Sequence, residues 1–388
     1  MIGKDELYDL YWNKKLSVRQ IAKLLDVNES TVRRWMKKYG IPRRDYSTAG
    51  RIRREHYTAE PKDIEELAKQ LVSEIAEQLE DRVEPSVYSY TPRDNLNIPL
   101  PASLLESKEP KEAVVTIVLS DLHLGHESHL PDTYWSCINN LKRVLSIIKM
   151  KAKILKCMLV LNGDIVSGRG IYRKHELENL IQRGHWQVFL AERVIKKTIE
   201  TIEDEVHVDS IYLLKGHHED TESNYMLYLK KALGNRAKYC SRHVVLDIGE
   251  PIGNYNVLFT HGYGKSQYYP VSYSLLRDLW KAVSEYRKRD IIIERVVVSH
   301  SHWLNPDLKL ENISISVTGG FQRWQYTIEQ RPSGLLVLLY SGGSCSVIPV
   351  TPSADVQFRE VNEPNLEYKN MGYYAKMLRE HFELYEEG

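Results

Sequence analysis

The sequence predicts a layered α/β domain preceded by a small all-α domain. From Ala113 onward, short apolar segments alternate with amphipathic helical segments, which is typical of a largely parallel sheet covered by helices. The first 42 residues instead contain three short helical patterns and no strand-like segment. With 388 residues, the chain is long enough for two or three domains.

The composition is that of an ordinary globular protein. Hydrophobic residues make up 42% of the chain and charged residues 27%, which excludes a disordered chain, a collagen-like chain and a coiled-coil rod. The chain has no apolar run of about 18 residues, and its first residues lack a signal-peptide core, so we expect no membrane contact. The four cysteines occur singly, which argues against a disulfide framework or a cysteine zinc site and favours a cytoplasmic location.

The net charge of +1 conceals two segments of opposite charge. Residues 1–54 contain 14 Lys and Arg against 6 Asp and Glu, whereas residues 55–112 contain 6 against 14. A basic head on a near-neutral body suggests a polyanionic partner. In the acidic segment, residues 61–82 form an amphipathic helix pattern and residues 85–110 a proline-containing linker. That helix would either pack on its own chain or form a homodimer contact.

Three helices are predicted in the basic head, over residues 4–13, 17–25 and 30–39. In the second helix, apolar residues recur at positions i, i+3, i+4 and i+7. In the third, apolar residues occupy one face and basic residues the other, and Gly40 and Pro42 end the helix.

The stretch SVRQIAKLLDVNESTVRRWMKKYGIP resembles a helix-turn-helix DNA-binding domain. The resemblance implies that the second of the paired helices enters the major groove. The basic excess favours DNA, because phosphate contacts dominate non-specific affinity, and the alternative is a trihelical protein-interaction module. The expected DNA-contacting residues are Asn28, Ser30, Thr31, Arg33, Arg34 and Lys37, and the footprint could extend to Arg43, Arg44, Arg51, Arg53 and Arg54.

Five strand-like segments of the large domain each end in Asp or His residues. Their ends read SDLH, NGD, GHHE, HG and HSH. The carboxyl ends of strands in an open α/β sheet lie at one rim, so we expect these side chains to gather there. Carboxylate and imidazole groups suit Mn, Fe, Zn, Co or Ni, and their number exceeds what one tetrahedral ion can use. Two ions about 3.5–4 Å apart, sharing one carboxylate, would use them all.

The ordered set SDLHLG, NGDIVSG, KGHHED, FTHG and SHSH is similar to the motifs of calcineurin-like metallophosphoesterases. The resemblance implies a four-layer α/β/β/α sandwich over residues 113–350. Residues 351–388 are predicted to form a C-terminal extension that ends in a helix. The resemblance also implies one ion held by Asp121, His123 and His302, a bridging Asp164, and a second ion held by His261 and His300.

One candidate ligand departs from the family pattern. His217 stands where the family has an Asn ligand, and an imidazole reaches further and is softer than an amide oxygen, so it could alter the metal preference or weaken the second site. Ser299 replaces a family glycine. His218 matches the family histidine that contacts the scissile phosphate, and we expect Glu219 to fix its tautomer.

Further candidates lie near these motifs. Arg169 is a candidate phosphate ligand, and His126 and His129 are candidates to line the cleft. We expect His175 and His185 to lie on a helix, in surface or packing positions. Aromatic and basic residues that could contact a single strand, or simply pack, are Tyr263, Tyr268, Tyr269, Tyr273, Arg323 and Trp324.

The function that the sequence favours is metal-dependent hydrolysis of DNA phosphodiester bonds, with the helix-turn-helix head binding the substrate. SDLHLG also occurs in the nuclease branch of the family. The expected cofactors are two divalent metal ions. Mn²⁺ is favoured, and Fe, Zn, Ni or Mg are the alternatives. The alternatives are a phosphatase acting on a nucleotide or another phosphomonoester, and a non-catalytic DNA-binding regulator.

Overall fold

A computed structural model describes residues 3–13, 18, 21–22, 25, 27–42, 110–169, 171, 175–181, 184–219, 225–262, 273–302, 304–310, 313–323 and 333–386. The chain divides into two compact units, Met1–Glu74 and Ile75–Gly388. Several predictions lie outside the described residues: the helix over 61–82, the linker up to residue 109, the arginines between 43 and 54, Tyr263, Tyr268, Tyr269 and Trp324. No helix in the described part of the chain has the length and apolar character needed to cross a bilayer.

The first unit is a small helical head with its own apolar core. Helix α1 (Lys4–Tyr8) continues into a π-helical segment (Asp9–Asn13), and α2 spans Glu29–Lys38. Of the predicted second helix, the structure describes residues 18, 21 and 22 as helical. The head core is formed by Leu7, Leu10, Tyr11, Ile21, Ala22, Val32, Met36 and Ile41.

Helix α2 ends as the sequence predicts. Gly40 adopts a left-handed φ of 67°, and the Ile41 amide then donates to the Met36 carbonyl at 2.9 Å. This arrangement is a Schellman-type cap, which favours glycine because a Cβ is strained there.

The described residues of the second unit form two sheets. The strands are β1 (Lys111–Leu119), β2 (Ala152–Asn162), β3 (Ser210–Leu214), β4 (Ala237–Tyr239), β5 (His243–Asp247), β6 (Asn256–Thr260), β7 (Arg295–Val298), β8 (Asn305–Leu310), β9 (Ile313–Val317), β10 (Leu335–Ser341) and β11 (Ser344–Val350). The six-stranded sheet has the order β11-β10-β1-β2-β3-β4, and the five-stranded sheet has the order β5-β6-β7-β9-β8. Strands β1 to β4 are parallel, as are β6, β7 and β9.

Helices flank the two sheets. They are α3 (Pro131–Lys151), α4 (His175–Glu178), α5 (Gly184–Glu203), α6 (Tyr225–Leu233), α7 (Tyr273–Arg287), α8 (Ala354–Val361) and α9 (Leu366–Glu386). Helices α3, α5 and α6 share a core with the six-stranded sheet and α7 with the five-stranded sheet, whereas α8 packs on α3 and α9 on α5. The predicted C-terminal helix is thus present. Its residues Tyr374, Met377 and Leu378 are buried in the same core as β1 and α3.

Alternate residues of the strands enter different cores, which produces four layers. Val115 and Ile117 of β1 face the core shared with the outer helices, whereas Val114 and Val118 face the core between the sheets. In the five-stranded sheet, Val297 faces the inter-sheet core, and its neighbours on β7 face α7. This two-residue period is that of a strand buried on both faces. The predicted α/β/β/α sandwich is therefore confirmed as the fold.

Two features of the fold break the simple alternation of strands and helices. Strand β10 pairs antiparallel with β1, so it extends the first sheet. Helices α4 and α5 are separate, because the described residues 179–181 between them are not helical. Leu180 and Ile181 there donate their amides to the Gly125 carbonyl, so tertiary hydrogen bonds replace the helical ones.

Candidate metal centre

The loops after five strands bring the predicted ligands together at one rim. Asp121 and His123 follow β1, Asp164 follows β2, and His217 follows β3, while the remaining three follow β6 and β7. They form two groups whose ligand atoms lie within 4.8 Å of one another. The groups are Asp121, His123 and His302, and Asp164, His217, His261 and His300.

The backbone at these loops is unusual. Positive φ angles occur at Asp121 (52°), His123 (47°), Asp164 (51°), His300 (74°) and His302 (57°). Non-glycine residues rarely adopt this left-handed conformation, which costs about 1 kcal/mol or more at each position. Such strain persists where surrounding hydrogen bonds determine the loop, and it concentrates here on the residues that carry Asp and His side chains.

The Oδ1 atom of Asp121 lies at the junction of the two groups. It is 3.3 Å from His302 Nε2, 3.9 Å from His123 Nε2 and 4.0 Å from His261 Nε2. Asp121 is fully buried, and within the described part of the chain this oxygen has no hydrogen-bond partner. A buried carboxylate oxygen without a donor is costly, and a cation would satisfy it.

The second carboxylate is close to both groups. Asp164 Oδ2 lies 2.9 Å from His261 Nε2 and 3.9 Å from His123 Nε2. Atoms that ligate one ion at about 2.1 Å are about 3.0–3.4 Å apart in tetrahedral or octahedral geometry. Asp164 is therefore placed between the histidines of the two groups, as a bridging ligand would be.

The electrostatics of the cluster favour binding of cations. Burial lowers the pKa of His217 to about 4 and holds the pKa of His123 well below its usual value, so both imidazoles are neutral. Burial also lowers the pKa of His261, but the Asp164 carboxylate outweighs it and raises that pKa to about 10. Without an ion, a proton on His261 thus neutralises part of the buried negative charge. A divalent ion would take its place, since ligating imidazoles are unprotonated.

Backbone hydrogen bonds orient the ligands. The Nδ1 atom of His261 lies 2.8 Å from the carbonyl of Asn162, which assigns the proton to Nδ1 and leaves Nε2 facing Asp164. Asp121 Oδ2 accepts the His300 amide at 3.2 Å, and Asp164 Oδ1 accepts the His218 amide at 2.9 Å. In each carboxylate, one oxygen therefore accepts a backbone amide and the other faces the imidazoles of the cluster.

Glu219 supports the Asp164 loop. Its buried carboxylate accepts amides of Asp164 (3.0 Å), Ile165 (2.6 Å), Val166 (3.2 Å) and Gly216 (2.9 Å). Burial and the neighbouring Asp164 raise its pKa to about 7, and these amide donors oppose the shift. The prediction that Glu219 fixes the tautomer of His218 is wrong, because the amides occupy both of its oxygens.

Gly216 is required for the close approach of two motifs. A Cβ on this residue would collide with the carboxylate and the amide of Asp164. The third strand end can therefore lie against the second only if residue 216 has no side chain.

His218 is held by the Ser167 carbonyl instead. Its Nδ1 forms a short contact with that oxygen, and its Nε2 lies 3.9 Å from Asp164 Oδ2. Burial lowers its pKa. The ring packs edge-on against His123, at 4.4 Å between centroids, so His218 lies beside the cluster with Nε2 directed to it.

The structure places His175 beside His218, which the sequence did not predict. His175 is fully buried, and burial lowers its pKa to about 3. The centroids of the two rings are 5.0 Å apart, and His126 stacks on His175 at 5.9 Å. His185, by contrast, is exposed as predicted.

The other candidates have varied positions. His126 is buried and lies 3.5 Å from Glu178. His129 does not line a cleft, because it is fully buried and stacks on Tyr374 at 6.2 Å.

The Arg323 side chain donates to the Glu363 carbonyl at 3.0 Å, in the C-terminal region. Arg169 is half-buried in the loop after Asp164, and its assignment as a phosphate ligand remains a prediction.

Comparison with known proteins identifies the head and finds similar solved structures. Residues 9–43 match the family of homeodomain-like domains. Among curated proteins, none matches this chain in sequence. A predicted phosphoesterase from Streptococcus pneumoniae is 13% identical, with a TM-score of 0.29, over 62% of this chain and 90% of its own.

Two other solved structures have comparable scores. Vps29 from Entamoeba histolytica, solved in complex with Zn²⁺, is 13% identical with a TM-score of 0.31, over 61% of this chain and 98% of its own. A 5'-nucleotidase from Candida albicans is 11% identical with a TM-score of 0.34, over 70% of this chain and 58% of its own.

Proposed function

We propose that this chain is a two-metal phosphoesterase that hydrolyses phosphodiester bonds in DNA, and that its homeodomain-like head binds the substrate. The observation that carries the proposal is the cluster of two buried carboxylates and five imidazoles at one rim of the sandwich. A polyanion such as DNA is the substrate that a basic head would deliver.

The donor set fits two divalent ions. One would be held by Asp121, His123 and His302, and the other by His217, His261 and His300, with Asp164 shared. The carboxylate oxygens suit Mn²⁺, which is our choice, and the imidazoles would also suit Zn²⁺, Fe²⁺ or Ni²⁺. Because His217 lies within the second group, the replacement of the family's Asn retains a ligand at that position.

The proposed mechanism assigns distinct tasks to the protein's residues. Bound divalent ions would neutralise the phosphate and acidify the attacking water. His218 Nε2, when protonated, would give its proton to the departing oxygen while Nδ1 stays bound to Ser167. Asp164 would be the ligand shared by the two groups of residues. Arg169 would contact a phosphate oxygen.

The head supplies a surface that fits DNA. On α2 and its N-terminal flank, Asn28, Ser30, Arg33, Arg34 and Lys37 are exposed, while Val32 and Met36 are buried on the opposite face. Thr31 is half-buried on the same helix. We propose that these six polar residues contact bases and phosphates, as recognition-helix residues of this domain class do.

A time course on end-labelled DNA tests the proposal. Wild-type protein, the Asp164→Asn variant and the Asp204→Asn variant would each be incubated with single- and double-stranded DNA in Mn²⁺. Asp204 is the matched control, because its side chain is 59% exposed and pairs only with a surface lysine in the described structure. We expect wild type and Asp204→Asn to shorten the end-labelled DNA and Asp164→Asn to leave it intact.

Other outcomes would contradict the proposal. Intact DNA together with hydrolysis of a nucleotide monoester would establish a phosphatase. Intact DNA that stays bound, with no phosphoester hydrolysed in any metal, would establish a non-catalytic DNA-binding regulator.

A further inference from the structure

We propose that His175 is a positioning residue that acts through Ser167 to fix the ring orientation and tautomer of His218. This inference rests on the proposed function, in which His218 gives a proton to the departing oxygen. His175 belongs to no motif of the metal centre. It is contributed by helix α4, which lies beyond the second strand end.

Ser167 connects the two histidines. Its carbonyl oxygen contacts His218 Nδ1, and its hydroxyl lies 3.0 Å from His175 Nε2. The same hydroxyl donates to Asn179 Oδ1 at 2.5 Å. Because a serine hydroxyl has one proton, this donation leaves its oxygen to accept from His175 Nε2.

The remaining contacts give a consistent assignment of protons. With Nε2 protonated, His175 has a lone pair on Nδ1, which accepts the Ile171 amide at 3.4 Å. The amide group of Asn179 donates to the Gly168 carbonyl at 2.9 Å. His175 and Asn179 therefore hold Ser167 from one side as a single chain of hydrogen bonds.

The peptide after Ser167 is also fixed. Gln187 accepts the Gly168 amide at 2.8 Å and donates to the Gly168 carbonyl at 3.2 Å. A Cβ on Gly168 would collide with the His218 carbonyl, so the two loops are in close contact. The Ser167 carbonyl, which accepts from His218 Nδ1, therefore has little freedom to move while the hydrogen bonds between His175, Ser167 and Asn179 are intact.

The consequence for His218 is a defined tautomer. A carbonyl oxygen only accepts hydrogen bonds, so Nδ1 must carry the proton and Nε2 is directed to the metal centre. The rings of His175 and His218 pack edge to face with centroids 5.0 Å apart, which limits rotation of the His218 ring. Loss of His175 would release the Ser167 hydroxyl and this packing together.

The first test measures the tautomer without any reaction. Long-range ¹H–¹⁵N spectra of metal-free, full-length protein labelled with ¹⁵N-histidine would be recorded for wild type, His175→Leu, His175→Gln and the exposed control His185→Leu. The His218 signals are identified by their loss in His218→Gln. We expect the Nδ1-protonated form in wild type, in the control and in His175→Gln, whose amide can still donate to Ser167. A mixture of tautomers is expected in His175→Leu.

The second test uses the leaving group. With Mn²⁺, kcat would be compared on a p-nitrophenyl phosphodiester, whose leaving group needs little protonation, and on a phenyl phosphodiester, whose leaving group needs more. We expect His175→Leu to lower kcat on the phenyl ester about 10–100-fold and on the p-nitrophenyl ester less than about 3-fold, with KM unchanged. His175→Gln should recover most of the loss.

The outcomes separate this inference from the proposed function. Equal losses on both esters, or a wild-type tautomer in His175→Leu, would overturn the positioning role. If His175→Leu does not fold, Ser167→Ala removes the same hydroxyl, and a wild-type tautomer there would overturn it too. If wild type hydrolyses neither ester, the proposed function fails, while the spectra still decide whether His175 orients His218.

Discussion

Replacement of Glu219 by Gln should destabilise the large unit by several kcal/mol. Oε1 accepts the amides of Ile165 and Val166, and Oε2 accepts those of Asp164 and Gly216. A glutamine keeps only one oxygen, so two buried amides would lose their acceptor whichever way the side chain lies. Each unsatisfied buried donor costs about 1–3 kcal/mol, which gives about 2–6 kcal/mol for Glu219→Gln.

Urea unfolding at pH 8 measures this loss, because the Glu219 carboxylate is mainly ionised above its pKa of about 7. The control is Glu285→Gln, an exposed glutamate paired with Lys288, and we expect its free energy of unfolding to equal that of wild type within error. We also expect weaker Mn²⁺ binding by Glu219→Gln, since the Asp164 loop loses its support. Wild-type stability of Glu219→Gln would refute the role of this carboxylate.

Four further outcomes are expected. Asp164→Asn should abolish phosphoester hydrolysis with an unchanged circular dichroism spectrum, and retained turnover would argue against a shared carboxylate. Gly216→Ala should lose Mn²⁺ affinity in calorimetric titration, because its Cβ would displace the Asp164 carboxylate. Combined Arg33→Ala and Arg34→Ala should weaken DNA binding and reduce the slope of log K against log[salt] by about 0.9 for each lost phosphate contact, whereas exposed Lys4→Ala should not. Removal of metal by chelation should lower the melting temperature of wild type but not of Asp164→Asn, since ligands that bind only the native state stabilise it.

The strands that carry the candidate ligands could be predicted because both of their faces are buried. Residues 113–119 of β1 and 296–298 of β7 are almost entirely apolar and buried, and buried parallel strands have this pattern. Strands β4 and β8 could not be recognised. The first has only three residues, and the second reads NPDLKL, with a proline and two charged residues at the edge of its sheet.

The gathering of the candidate ligands could be predicted for a topological reason, whereas the residues that contact them could not. Strand ends meet at one rim whatever the details of packing. The contacts of Glu219 with the Asp164 loop and of His175 with His218 join segments distant in sequence, which the pattern of one segment does not reveal. The i, i+4 spacing of His175 and Asn179, which suits one helix face, was the available indication that the two act together.

Diffraction from Mn²⁺-loaded crystals, recorded at the manganese absorption edge, tests the two-ion centre most directly. We predict two anomalous peaks about 3.5–4 Å apart, with Asp164 in contact with both. One peak would lie against Asp121, His123 and His302, and the other against His217, His261 and His300. A single peak, or peaks away from this rim, would contradict the proposed centre.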